Sequence, residues 1–559
     1  MNKEDTIDKN RPAKERRQPR KKSFAFLYPQ LIVFLFSLVL PVLISGCSDK
    51  PKEYNVVLIS MDTTRGDHVD TGPGARAFTP ELKRFAQKSA VFDHAYCTIP
   101  QTLPSHLAIL TSHLPHECGV QSNQFIYDGR FQMLQQRLKN NGYSTAACIS
   151  LGTIDSGTGI NTGFDLFLEK LNPPEVFYTT AEKITNEGLR VLNSIKHNKF
   201  FLFLHYSDPH TPYAPPSANG QLKIYLDDKP VTVINAHQGS ILRQNLPLTA
   251  GNHVVRFQLE TNLEDFDGFV LRHLKFSENC APVYQNIEYS KSHYNGSHII
   301  KAMNGTVSGE IRVACKGEGS MKLFQVIPLL TWRAAIDYYR QEVEYMDRHV
   351  GRFLRTLEKE KLLDHTIVVI TSDHGEGLGE RERYFGHVRY LNRQFIEVPL
   401  IVYLPGMKPR HFSQPVSHIG IAPTILDFTG IATGTNVRTK SLLTMIKSGN
   451  AAASPVYSLA FSPSAVEDKL SVISWPYQCI FSKDGSGTLN KEFYNFTLSQ
   501  SFRRIDELSP SVVIRNSSKE FQFLQQSYNR LSSAFKNRYF AKMKRSKTEI
   551  EKLRTIGYL

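Results

Sequence analysis

The chain has seven cysteines and no CxxC pair among them, which excludes a zinc ribbon. It has no basic stripe interleaved with aromatics either, so nucleic acid is not an expected partner despite a formal charge of +15. There is no internal repeat and no low-complexity tract, which leaves no repeat architecture or compositionally biased scaffold to consider. What remains is ordinary globular material. Apolar residues make up 41% and charged residues 21%, and 559 residues can bury a large core in more than one domain.

Charge is also missing locally, from Ser23 to Gly46. The flank before that run, Met1 to Lys22, holds nine Lys/Arg against four Asp/Glu, net +5. A basic flank, an uncharged run and then Cys47 form the layout of a secretory leader. The "ISGC" ending resembles a bacterial lipobox, and the run is also long enough to be a signal anchor. Residues 1–47 are therefore expected to export the chain and tether it to the membrane of a bacterial envelope, facing the periplasm or exterior. The remaining charge, about +10, is spread thinly and suits anionic substrates or anionic membrane surfaces. In an oxidising compartment cysteines pair, and Cys280 with Cys315, inside one segment, is the first pair to test.

Beyond the leader, "EYNVVLISMD", "KFFLFLHYSD" and "HTIVVITSDHGE" are continuous apolar runs that end in Asp and His. Buried parallel strands read this way. "TPELKRFAQKSAVFDHAY" and "FQMLQQRLKNNGYSTAACIS" pass from helical periodicity to a strand, "DYYRQEVEYMDRHVGRFLRTLEKEKL" is a long amphipathic helix, and "VPLIVYLPG" is one further strand. This alternation predicts an α/β fold with a mostly parallel sheet and ligands at the carboxyl ends of its strands. From about Ala218 to Ile327 the helices stop. "QLKIYLDDKPVTVI", "GNHVVRFQLE", "DGFVLRHLKF" and "GEIRVACKG" predict an inserted β-sandwich-like module, with Tyr225 and Phe269 in its core. The module is either a structural elaboration or a ligand- or glycan-binding unit. Residues 451–559 predict a smaller α+β subdomain.

The chemistry lies at the strand ends. Asp62, His210, Asp373 and His374 follow three apolar strands, and His387 comes shortly after. Individually, each is as readily a cap or a turn residue. Together, two carboxylates and an imidazole suit one divalent cation. Thr102, in "IPQTLPSHLAILTS", stands at a strand-turn-helix junction. It reads as a helix cap, or as a nucleophile whose proton the metal's charge displaces.

Five blocks, "NVVLISMDTTRGDHV", "FTPELKRFAQKSAVFDHAYCTIPQTLPSHLAILTSHLPHECGV", "FLFLHYSDPHTPYAPP", "EVEYMDRHVGRFLRTLEKEKLLDHTIVVITSDHGEGLGE" and "VPLIVYLPG", together resemble the sulfatase family of the alkaline phosphatase superfamily. The closing "EKLRTIGYL" looks like the end of many bacterial members. The resemblance implies an alkaline-phosphatase-like catalytic domain in two parts, 52–217 and 328–450, split by the module 218–327. It implies that Asp62, Asp373, His374 and Thr102 hold one divalent metal, with Thr102 as nucleophile. His210 and His387 would contact the transferred group, His387 standing where many sulfatases have a lysine.

Four departures qualify the resemblance. Sulfatases oxidise a cysteine or serine at the nucleophile position to formylglycine, and threonine is not a recognised substrate for that conversion. A threonine ester has to be cleaved by water in a second in-line displacement, a route that suits phosphoryl groups. His106 replaces an arginine after Pro-Ser, and Thr63 replaces a second carboxylate. A set with few carboxylates and a histidine favours Zn or Mn over Ca. The Asp-x-x-x-His pair of two-metal relatives is absent.

The expectation is a metal-dependent hydrolase or transferase of phosphate or sulfate esters, with an anionic ester, glycan or lipid head group as substrate. A sulfuric ester hydrolase proper is the alternative within the class. A catalytically silent envelope-binding protein is the alternative outside it, favoured by "NRQ" at Asn392 to Gln394, where relatives often carry Tyr-Asp-Glu.

Overall fold

The computed structural model describes residues 53–496, 519–535 and 546, apart from 72–77, 170, 172–177, 212, 214–219, 236–240, 262–265, 273, 286, 291–296, 302–306, 381–383, 434–440, 450–453, 462–467 and 484–485. The expected leader, Met1 to Cys47, and the closing "EKLRTIGYL" lie outside the described residues.

Eight strands form the central sheet: β1 (Asn55–Met61), β2 (Ala90–Phe92), β3 (Ser144–Ile149), β4 (Leu166–Leu168), β5 (Phe200–Tyr206), β6 (Thr366–Thr371), β7 (Leu400–Tyr403) and β8 (Arg410–Phe412). Their order is β8-β2-β7-β6-β1-β5-β3-β4. The run from β6 through β1, β5 and β3 to β4 is parallel. The strand "LIVY" is the exception, since β7 pairs antiparallel with both β6 and β2. The apolar runs are continuous because both sheet faces are covered. Val56 and Leu58 pack on one face with α2 (Thr102–Thr111), α3 (Leu134–Asn140) and α6 (Ile421–Thr429). Val57, Ile59 and Met61 pack on the other with α1 (Pro80–Ala86), α4 (Ala181–Ile195) and α5 (Trp332–Lys359). This is the doubly covered α/β sheet that the sequence predicts.

The all-β insert is a sandwich. One sheet joins Cys280–Gln285, Val307–Cys315, Gly251–Thr261, Gly220–Leu226 and Lys229–Asn235 in that order. The other is built around Gly319–Leu330, which pairs with Lys275–Phe276, Phe266–Arg272 and Ile241–Leu248. Leu222, Ile224, Phe257 and Ile311 of the first sheet bury against Leu246, Phe269, Ile300 and Met321 of the second. The Asp227-Asp228 turn has φ 50° and 62° at its two residues, as a tight hairpin requires. Cys280 and Cys315 are opposite one another on neighbouring strands and form a disulfide. Phe269 is core as expected. Tyr225 is not: it alternates with buried Leu222 and Ile224, which turns it to the sheet's outer face.

The C-terminal subdomain is a four-stranded antiparallel meander from Val456 to Asn495, with α7 (Lys519–Phe535) packed on it through Leu524 and Tyr528. It shares a core with Ile99, Ala108 and Leu114, which flank and belong to α2. Ser458 Oγ donates to the Cys97 carbonyl at 2.6 Å, and Leu459 N–H to the Thr98 carbonyl at 2.7 Å. The approach to Thr102 is thereby pinned from below.

Candidate active site

Asp62, at the carboxyl end of β1, and the pair Asp373-His374, just past β6, come from neighbouring parallel strands. Each offers one ligand atom to a group whose atoms all lie within 4.8 Å of one another, and all three residues are fully buried. His374 Nε2 is 3.3 Å from Asp373 Oδ2 and 3.7 Å from Asp62 Oδ1. The loop is held from within. Asp373 Oδ1 accepts the His374 N–H at 2.8 Å, which aims Oδ2 at the cluster. His374 Nδ1 donates to the Gly375 carbonyl at 2.9 Å, which leaves Nε2 as the lone-pair nitrogen facing the carboxylates. Residue 375 has to be glycine, because a Cβ there would lie 2.0 Å from the Gln394 carbonyl oxygen.

Thr102 is the first residue of α2, after Gln101 at the cap position, so it is not the helix cap. Ser105 does not cap either: its hydroxyl donates to the Asp373 carbonyl at 2.6 Å and fastens α2 to the metal-binding loop. His106 Nδ1 donates to the Thr102 carbonyl and Nε2 accepts from Ser60 Oγ, both at 2.8 Å. The same Nδ1 is 3.7 Å from Asp373 Oδ2. The histidine that replaces an arginine thus locks the helix start against β1 and β6.

The buried atoms Asp62 Oδ1 and Oδ2, Thr102 Oγ1, Asp373 Oδ2 and His374 Nε2 have no hydrogen-bond partner. Native interiors rarely carry such a concentration of orphaned acceptors, and a divalent cation would satisfy those of Asp62, Asp373 and His374. The donor set therefore fits a metal. Electrostatics agree. Burial pushes the Asp62 and Asp373 carboxyls up to about 6 and about 7, each raised further by neighbouring carboxylates. Burial also drives His374 down to about 4, which keeps its imidazole neutral as a ligand must be.

His210, beyond β5, is fully buried, and its Nδ1 donates to the Thr211 carbonyl at 2.6 Å. Its ring meets that of His387 edge to face with centroids 5.2 Å apart, and His387 lies 4.4 Å from the His374 ring. The fold therefore brings all six residues singled out from the sequence to one end of the sheet. Burial pushes His387 down to about 4 and His210 well below the usual range. Two β-branched residues beside this group have positive φ, Thr63 at 59° after Asp62 and Val388 at 84° after His387. Strain of this kind concentrates at functional sites.

Several partners escape a reading by sequence. Glu376, two residues past His374, is fully buried, and its Oε2 is 3.5 Å from His387 Nδ1. Its place in "TSDHGEG" is the available signal. His205 Nε2 is 3.6 Å from Asp62 Oδ2, signalled only by an imidazole inside an apolar strand. Tyr339 of α5 gives its hydroxyl proton to the Thr63 carbonyl at 2.8 Å and accepts the Arg65 N–H at 3.0 Å. "NRQ" serves packing: Asn392 Nδ2 donates to Tyr494 Oη at 3.0 Å and so ties the His387 loop to the C-terminal meander.

The sulfatase family model matches residues 54–431. N-acetylglucosamine-6-O-sulfatase of Bacteroides thetaiotaomicron is 24% identical over 436 residues, 73% of this chain and 74% of that protein. A solved structure of a protein in complex with its substrate D-glucosamine-2-N,6-O-disulfate superposes with TM-score 0.57 at 16% identity, covering 88% of this chain and 100% of the other. A phosphonate monoester hydrolase from Silicibacter pomeroyi superposes with TM-score 0.54 at 16% identity, covering 87% and 96%. The family match runs through every strand and loop that carries Asp62, Thr102, His210, Asp373, His374 and His387, and the chain belongs to the sulfatase family.

Proposed function

We propose that the chain is an exported, membrane-tethered hydrolase or transferase of anionic esters, with Thr102 as nucleophile and one divalent metal held by Asp62, Asp373, His374 and Thr102. The observation that carries this reading is the set of buried, unpartnered oxygen and nitrogen atoms on those four residues. A divalent ion bound there supplies positive charge that lowers the pKa of the Thr102 hydroxyl and offsets charge on the transferred group. The N-terminal end of the ten-residue helix α2 adds positive potential at the same oxygen.

Thr102 Oγ1 attacks phosphorus or sulfur, an Oγ1–P or Oγ1–S bond forms, and the ester oxygen leaves with the bonding pair. His210 and His387 face one another closely enough to hold the equatorial oxygens of the transferred group. Both imidazoles are neutral in the free site. An incoming anion offsets the burial that keeps them so, and the imidazolium can protonate the leaving oxygen. Water then displaces Thr102 in a second in-line step, or an acceptor hydroxyl does so in a transferase.

Phosphoryl or phosphonyl esters fit a threonine ester best, because it has no elimination route and must be displaced. The fold also accommodates this chemistry in a phosphonate monoester hydrolase. A sulfated sugar is the second reading, favoured by the similarity to an N-acetylglucosamine-6-O-sulfatase. Residues 1–47 supply the leader and tether, and the module 218–327 is read as accessory to the catalytic parts 52–217 and 328–450.

Mass spectrometry of the Thr102 peptide, after brief incubation with aryl phosphate, phosphonate and sulfate esters, tests the reading. A phosphate or phosphonate adduct on Thr102 is the expected result, and a sulfate adduct would select the second reading. A protein that binds no metal and turns over none of these esters would leave only a silent binding protein.

A further inference from the structure

We propose that Glu376 positions His387 for the reaction, its carboxyl hydrogen-bonding the ring Nδ1 so that Nε2 faces the transferred group. The proposal rests on the reading that sets His387 against that group, and deepens it.

The backbone sets the two residues opposite one another. Gly377–Leu378 and Phe385–Gly386 form a two-stranded antiparallel ribbon just past the metal-binding loop, with Gly377 opposite Gly386 and Leu378 opposite Phe385. One step further along this register Glu376 stands opposite His387, and opposite residues of such a ribbon project from the same face. Residue 377 has to be glycine for the ribbon to close. A Cβ there would lie 2.7 Å from the Phe395 ring and 2.9 Å from the carbonyl oxygens of Gly386 and Tyr384. Both ends are pinned. The Gly375 N–H donates to the Phe395 carbonyl at 2.9 Å, and Tyr384 gives its hydroxyl proton to the His387 carbonyl.

The side chains meet where the ribbon puts them. Glu376 Oε2 is 3.5 Å from His387 Nδ1, and both residues are buried. That separation is long for a hydrogen bond, and bonds of this kind tighten when substrate occupies the site. Neither carboxyl oxygen of Glu376 has a hydrogen-bond partner among the described residues. The neighbouring cationic groups are spent elsewhere. Arg65 gives its guanidinium to Asp67 and Glu380 and reaches Glu376 at the carbonyl oxygen, at 3.4 Å. His374 holds Gly375 through Nδ1 and turns Nε2 to Asp62 and Asp373. A buried carboxyl without a bond is costly, and His387 is the imidazole in reach. With Nδ1 tied to Glu376, Nε2 is the nitrogen left for the transferred group, and the ring cannot turn it away.

A double-mutant cycle on the metal-loaded full-length protein tests this, using whichever aryl phosphate, phosphonate or sulfate ester the wild type turns over fastest. Glu376→Leu removes the hydrogen bond at similar volume, and Glu376→Gln runs the same cycle should the leucine variant not fold. Either substitution should lower kcat about 10- to 100-fold, with KM and metal content near wild type. Added to His387→Gln, it should cost less than about threefold more, because nothing is left for it to position. Losses that multiply, an unchanged kcat or a loss of bound metal would overturn the proposal. The two readings fail separately. If His387→Gln is impaired and the Glu376 variants are not, only Glu376 is wrong. If His387→Gln matches the wild type, or the wild type turns over none of these esters, the placement of His387 falls and Glu376's role with it.

Discussion

Thr102 is a buried hydroxyl without a hydrogen-bond partner, whereas Ser105 and His106 on the same helical turn are both bonded. A structural threonine at that position would be worth its methyl packing alone, whereas a nucleophile is worth the reaction. Thr102→Ala should therefore lower kcat for an aryl ester by roughly 10³-fold or more while the melting temperature stays nearly fixed. Thr102→Ser, which keeps the oxygen, should retain activity. An alanine variant with wild-type turnover would remove Thr102 from the mechanism. At this scale the sequence was informative where chemistry sits at strand ends. Asp62, Asp373 and His374 follow apolar runs that could only be buried strands, and His210 follows another. Glu376, His205 and Tyr339 were not legible, because their importance lies in what they face across sequence gaps of up to hundreds of residues. His106 was legible only as a departure. That it bridges Ser60 and the Thr102 carbonyl follows from helix packing, not from spacing.

Among the elements, α5 links the covering layer to the chemistry. Asp347 on its inner face accepts the N–H groups of Glu81 and Leu82 at 3.0 and 2.9 Å and so caps the start of α1. Two turns earlier, the buried Tyr339 hydroxyl bonds both the Thr63 carbonyl and the Arg65 N–H, which sets the backbone just past Asp62. Tyr339→Phe leaves a buried carbonyl and N–H unpaired, at about 1–3 kcal/mol. The urea midpoint should fall with an unchanged m value, and metal affinity should weaken because Asp62 is less well held. A variant with wild-type midpoint and metal affinity would show that Tyr339 merely fills space. The long amphipathic periodicity of α5 and the buried β strands were plain in the sequence. The direction of β7 was not, since "LIVY" is equally apolar parallel or antiparallel. Neither were the sandwich strands Ile241–Leu248 and Cys280–Gln285, whose partners are Gly319–Leu330 and Val307–Cys315. Such pairings are decided by burial on one face across long loops, and short alternations do not encode them.

For the whole molecule, the carboxylates at the junction of β1 and β6 connect global stability to pH and metal. In the metal-free protein, Asp62 and Asp373 titrate near 6 and 7 because they are buried, whereas in the unfolded chain they titrate near 3.9. Between those values these two groups carry more protons in the folded state than in the unfolded one. The contribution of these two carboxyls to the stability of the metal-free protein is thus greatest below about pH 4 and is lost as pH rises through 6 and 7. Bound metal takes the place of those protons, so its stabilisation must grow over the same window. His374, held near 4 by burial, is already neutral there and adds no competing proton. The increment in melting temperature between zinc-loaded and EDTA-treated protein should therefore be small at pH 5 and reach several degrees by pH 8. Paired thermal scans in matched buffers would check it. An increment that stays constant from pH 5 to pH 8 would mean that Asp62 and Asp373 do not exchange protons for metal. The buried cluster would then be a polar core that the fold tolerates, and the reaction would have to be sought elsewhere on the molecule.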